Sequence, residues 1–76
     1  MSDAPGAARA LLAAAVGLEI DQIPEDASIF TFEAWDSLAH ARIVLGIEEA
    51  IGHALPPEQL FEIDSLQSIA RALAAD

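Results

Sequence analysis

WDSLAHARIVLGIEEAIG, residues 35–52, is the stretch whose reading decides the fold. Asp36 is a helix-capping residue type, because a short carboxylate can accept hydrogen bonds from amides that the first turn of a helix leaves without partners. From Ser37 onward Leu38, Ala41, Val44, Leu45, Ile47 and Ile51 recur at helical spacing with Ile43 beside them, and Gly52 stands where a left-handed residue ends a helix. The pattern predicts a helix over Ser37–Ile51. Its apolar band is wider than a surface helix requires, so several neighbours are expected around it. Leu38 is expected to anchor the first turn in the core, in which case Leu38→Ala would cost roughly 2–5 kcal/mol.

Working outward, Leu11, Leu12, Ala15 and Val16 predict a first helix from Ala7, closed by Gly17. Residues 1–6 are expected to fray, although Asp3 offers a cap and Pro5 suits a first turn. Between Leu18 and Asp36 helical period is lost, and Pro24-Glu25-Asp26-Ala27-Ser28 is a turn cluster. So long a loop needs its own anchors, and Ile20, Ile23, Ile29, Phe30, Phe32 and Trp35 are the residues available. Downstream, Pro56-Pro57 breaks the chain, and Pro57 suits the start of a short helix through Glu58–Phe61. Asp64 and Gln67 have the spacing of a capping box, followed by Leu66, Ile69, Ala70 and Leu73 on one helical face. The expected architecture is all-α: a bundle of three main helices plus a short helix three, with a long loop between helices one and two. One domain is expected over 1–76.

A chain of 76 residues buries only about 60% of the surface its unfolded form exposes, so a large enclosed active site is not expected. Much of the apolar content is alanine, and the core is expected to draw on Leu, Ile and Val with Phe30, Phe32, Phe61 and Trp35. There is no cysteine, hence no disulfide and no thiolate within the chain; a reactive thiol would have to come from outside. Thirteen acids stand against Arg9, Arg42 and Arg71, giving a formal charge of −10. Nucleic acid and anionic lipid would be repelled, while partners with basic docking surfaces would be attracted. The apolar run Ala7–Leu18 is too short to span a bilayer, lacks a basic leader and contains Arg9. No membrane insertion and a cytoplasmic location are expected.

Chemistry concentrates at Trp35-Asp36-Ser37-Leu38. A phosphate on the Ser37 oxygen would lie beside first-turn amides and the positive end of the helix dipole. Asp36 could cap the helix and also face a metal or a basic group on a modifying enzyme. Taken locally, the same four residues also fit a plain N-cap followed by an ordinary serine. His40, one turn after Ser37, admits a serine–histidine dyad, but no oxyanion hole or cleft accompanies it and it reads as an exposed histidine beside Ser37. His53 reads as a solvent-facing turn residue. Two histidines without cysteines make no zinc site, and Glu48-Glu49 and Asp21, Glu25 and Asp26 do not have the spacing of a calcium loop. Neither a catalytic centre nor a metal site is expected.

Set in order, Asp36-Ser37-Leu38, the helix ending Gly46-Ile47-Glu48-Glu49-Ala50-Ile51-Gly52, then Leu55-Pro56, then Ile63-Asp64-Ser65-Leu66, resemble the acyl carrier protein family. The spacing matches without gaps from Ser28 to Leu73. The resemblance implies that Ser37 is the attachment residue for 4'-phosphopantetheine, transferred covalently from coenzyme A by a phosphopantetheinyl transferase that supplies metal and base. The arm's thiol would hold cargo as a thioester, which answers the missing cysteine. The chain itself would be a carrier rather than an enzyme, a free-standing monomer served by acyl-loading and acyl-processing enzymes. Leu38, Arg42, Glu48 and Glu49 would form the docking face, and His40 could touch a partner or the arm's phosphate. The family also implies an acyl pocket, for which Ile43, Ile47, Leu60, Phe61, Ile63 and Leu66 are candidates and Ala41 could leave space; each is equally explained as core.

Three residues depart from the common pattern. Trp35 replaces a small residue, and Ala39 and Arg42 stand where fatty-acid carriers place acids, leaving Asp36, Glu48 and Glu49 as the matching acidic surface. Such variants are similar to carriers of specialised routes, in polyketide, modified amino-acid or surface-saccharide synthesis. Aminoacyl or peptidyl cargo is the alternative, and an unmodified acidic helical interaction domain is a third reading.

Overall fold

The computed structural model describes residues 4–74. Four helices follow one another, α1 Ala4–Val16, α2 Ser37–Ile51, α3 Pro57–Leu60 and α4 Leu66–Ala74, with a 3₁₀ turn at Ile20–Gln22 in the long α1–α2 connection. The all-α bundle and its long first loop are as the sequence predicts. Helix α1 reaches back to Ala4, ahead of the expected start at Ala7, with Pro5 in the first turn where a missing amide costs no intrahelical bond. The expectations for Met1, Ser2 and Asp3 lie outside the described residues. Helix α1 packs on α4 and α2, and α2 also meets α4. The helices form a slab of 29 × 28 × 17 Å, thin enough to leave each of them a face in solvent.

Both ends of α2 form as its sequence dictates. Asp36 has extended backbone (φ −97°, ψ −172°) and its Oδ1 accepts from the Ala39 amide at 2.9 Å. Gly52 closes the helix at φ 85°, its amide donating to the Glu48 carbonyl. The rotation of the helix differs from expectation. Ala39, Ile43 and Ile47, one turn apart, are its buried residues, whereas Leu38 and Leu45 are each 60% exposed. Leu38 therefore does not anchor the first turn. A band this wide allows more than one rotation, and the neighbour decides: Gly46 faces α1 so closely that a Cβ there would lie 3.1 Å from the Leu11 Cγ. With Gly46 turned to Leu11, Ile43 and Ile47 point inward and each contributes about 1.5–3 kcal/mol by burial.

Leu12, Ile23, Ile43, Ile47 and Ile69 are the largest fully buried side chains, and Ala8, Ala13 and Ala15 let α1 approach its neighbours. Among the aromatics Trp35 is buried and Phe32 half-buried, but Phe30 and Phe61 are 82% and 87% exposed, contrary to the expected core. Phe30 sits in the tight turn closed by the Thr31 and Phe32 amides on the Ser28 carbonyl. Phe61 follows a helix of a single turn, which gives its inward position to the half-buried Leu60.

The long loop is pinned by Ile23, Ala27 and Trp35, with Ile29 and Phe32 half-buried against the core, while Ile20 and Phe30 point outward. Its backbone is tied down at two places. The Arg9 guanidinium of α1 donates to the Ile20 carbonyl at 3.2 Å and to the Ile23 carbonyl. An antiparallel bridge joins Ser28 to Ser65, the Ile29 amide donating to the Asp64 carbonyl at 2.9 Å and the Leu66 amide to the Ala27 carbonyl at 3.3 Å. The second of these bonds satisfies a first-turn donor of α4.

The cap of α4 lies one residue later than expected. Ser65, not Asp64, is the N-cap: its Oγ accepts from the Ser68 amide at 3.1 Å, and the Ser68 Oγ accepts from the Ser65 amide at 2.9 Å. The Ser68 Oγ also accepts from the Asp64 amide at 2.9 Å, so a buried serine takes the role expected of Gln67. Its own proton goes to the Ser65 carbonyl at 2.8 Å, and the exchange is closed.

Candidate functional site

Ser37 is the first residue of α2, and its side chain is exposed. The Asp36 side chain takes the Ala39 amide and the Asp36 carbonyl takes the His40 amide at 2.8 Å. The Ser37 and Leu38 amides keep no protein acceptor among the described residues, so the positive end of a 15-residue helix is open beside the Ser37 hydroxyl. A hollow of about 450 Å³ opens there, lined by Ile29, Trp35, Asp36, Ser37 and His40. The open amides suit an anionic group on the serine oxygen, and the Asp36 carboxylate that lines the same hollow is held on the Ala39 amide.

The hollow owes its shape to a pair that the sequence reading did not join. The Trp35 indole Nε1–H donates to His40 Nδ1 at 3.1 Å, and the two rings meet edge to edge, with centroids 6.3 Å apart and planes inclined by 27°. Trp35 directly precedes the N-cap and His40 is the fourth helical residue, which is the spacing of a hydrophobic staple that fixes how the chain approaches its helix. That spacing was the signal available. His40 is half-buried rather than exposed. The serine–histidine dyad is not formed, since Nδ1 is occupied by the indole and no Ser37–His40 hydrogen bond exists among the described residues.

Of the docking candidates, Leu38, Arg42 and Glu49 share one exposed stripe with Ala41 and Leu45, at i, i+3, i+4, i+7 and i+11. Arg42 also reaches the Ala15 carbonyl near the end of α1, at 3.5 Å. Glu48 is turned away from the stripe: it is half-buried and its Oε2 accepts from the Leu55 amide at 2.9 Å, holding the α2–α3 link. Ala39 is buried against the core, so an acid there would not face a partner, and the uncharged residue answers to packing rather than docking. His53 is exposed, with Nδ1 near the Ala54 carbonyl at 3.1 Å.

The acyl-pocket candidates do not share one lining. Ile43, Ile47 and Ile63 are packed in the core, Leu60 and Leu66 are half-buried, and Phe61 and Ala41 face solvent. A hollow of about 520 Å³ lies instead along α3 and α4, where Ile63 is joined by Gln59, Glu62 and Arg71. No described helix is long and apolar enough to cross a membrane.

An open helix start with an exposed serine on it offers hydrogen-bond donors to an anion. The family profile described as phosphopantetheine attachment site matches residues 7–73. The chain belongs to that family. It is a phosphopantetheine-bearing carrier domain and not a catalyst, and its prosthetic group is 4'-phosphopantetheine. Carrier domains receive that group from phosphopantetheinyl transferases. The reading as an unmodified interaction domain is thereby set aside. No curated protein matches the chain. The residues at the start of α2 fit the group: first-turn amides and the helix dipole can offset the charge of a phosphodiester, and the Ser37 oxygen can be reached from solvent.

Proposed function

We propose that this carrier domain bears its arm on Ser37 and carries acyl groups for a specialised biosynthetic route. The observation that supports this most is the exposed Ser37 hydroxyl at the first position of α2, beside amides that have no protein acceptor. In the attachment step the Ser37 Oγ forms a bond to the β-phosphorus of coenzyme A. The bond from that phosphorus to the bridging oxygen breaks, the nucleotide bisphosphate leaves and the serine proton passes to the transferase. The transferase supplies the base and the metal. Once bound, the group supplies a thiol that holds cargo as a thioester, a nucleophile absent from a chain without cysteine.

Leu38, Arg42 and Glu49 on the exposed stripe are the docking residues of this reading, with Asp36 at its head. The stripe sets two leucines, an alanine and a cation beside a single acid, while Glu48 is committed to the Leu55 amide. Such a face favours partners less basic than those that read a strongly acidic helix, which is the basis for proposing a specialised route.

Intact-mass measurement after incubation with coenzyme A, Mg²⁺ and a broad-specificity transferase tests the site. One phosphopantetheine is expected on the wild type and none on Ser37→Ala; a gain that persists in Ser37→Ala would move the site elsewhere. Offering the loaded wild type to acyltransferases and to amino-acid-adenylating enzymes then separates acyl from aminoacyl cargo by the thioester that forms.

A further inference from the structure

We propose that His40 binds the phosphodiester formed on Ser37, donating a hydrogen bond from Nε2, and that Trp35 sets the tautomer that makes this possible. The inference rests on Ser37 being the attachment residue. A neutral imidazole has one nitrogen that donates and one that accepts. Because the Trp35 Nε1–H donates to His40 Nδ1 at 3.1 Å, Nδ1 must carry the lone pair and the single proton lies on Nε2. That N–H has no protein acceptor among the described residues, although His40 is half-buried. Asp36 Oδ1 accepts from the Ala39 amide, and the Asp36 carbonyl accepts from the His40 amide.

His40 lies one helical turn from Ser37, on an adjoining part of the α2 surface, and both line the same hollow. An anion on the serine oxygen thus meets two kinds of donor, the first-turn amides from the helix end and the imidazole N–H from its side. The buried indole holds the ring in place through its hydrogen bond to Nδ1 and keeps that nitrogen from competing as the donor. Held this way, the root of the arm would leave Ser37 in a restricted direction rather than swing freely about the Cβ–Oγ bond.

The test compares apo and loaded protein by NMR in alkaline buffer. Imidazole ¹⁵N signals of the apo wild type should show Nδ1 as the lone-pair nitrogen and Nε2 as the protonated one. On loading, the Nε2 resonance of His40 should shift with Nδ1 nearly unchanged, and the ³¹P resonance of the phosphodiester should differ from that of loaded His40→Phe. His40→Gln, which keeps a side-chain N–H donor, should recover part of the ³¹P difference. Trp35→Phe should give a mixture of tautomers and a smaller ³¹P effect. A wild-type Nε2 signal that does not move on loading would overturn the proposal, and this comparison needs no variant to fold. If His40→Phe lowers apo stability but leaves the ³¹P signal at its wild-type position, the histidine is only a structural partner of Trp35. Failure of Ser37 as the attachment residue is separately visible, because Ser37→Ala would then still gain the phosphopantetheine mass.

Discussion

Leu38 and Ile43 are both apolar residues in the first half of α2, and they should respond to truncation in opposite ways. Leu38 is 60% exposed and Ile43 fully buried. Leu38→Ala is expected to change stability by no more than about 0.5 kcal/mol, as surface substitutions usually do. Ile43→Ala is expected to cost roughly 2–5 kcal/mol. Urea denaturation of the two variants checks the register, and a large loss for Leu38→Ala would reverse it. The capping role of Asp36 and the start of α2 at Ser37 were legible because a cap is decided by a few adjacent residues. The direction of Leu38 was not, because Gly46 and Leu11 on another helix set it. The Trp35–His40 bond lay between these cases: its spacing is local, but histidine is not an expected member of an apolar staple.

At the level of elements, α4 depends on a single small side chain. Ser68 accepts from the Asp64 and Ser65 amides and is 5% exposed, so Ser68→Ala leaves two donors without that acceptor at the base of the helix. The expected loss is about 1–3 kcal/mol, read from the midpoint of urea denaturation; Ser68→Asn or Thr would tell little, since each also changes volume in a packed site. The existence and period of α4 were clear from Leu66, Ile69, Ala70 and Leu73. Its cap was misplaced by one residue because Asp64 and Ser65 are both good caps, and the choice fell to Ser65 when the Asp64 carbonyl was drawn to Ile29 of the loop. No local pattern carries that bond. The same holds for the loop's own anchors, where Ile23 and Trp35 turn inward and Ile20 and Phe30 outward according to which helix lies beneath them.

For the whole molecule, a charge of −10 acts on folding and on docking in opposite senses. Self-repulsion opposes the compact state, and salt at about 0.15 M shortens the reach of surface charges to about 8 Å. Raising salt from low concentration should therefore raise the melting temperature of the carrier while slowing its association with a basic transferase. Calorimetry and stopped-flow association rates over one salt series check both halves; a melting temperature and a rate that both stay constant with salt would show that the net charge steers neither. The all-α class and the position of Ser37 could be read early because both rest on helix boundaries, whereas which residues line a hollow depends on how several helices meet.

The bridge between Ser28 and Ser65 has a further consequence for how the molecule opens. The Ile29 and Leu66 amides are far apart in the chain, yet each is protected by the other's segment. They should exchange with solvent deuterium at closely similar rates, as one cooperative unit. Loosening the C-terminal helix would then release the loop that leads to Trp35, so the first partial unfolding of this carrier should disturb the approach to Ser37 even while α2 itself remains wound.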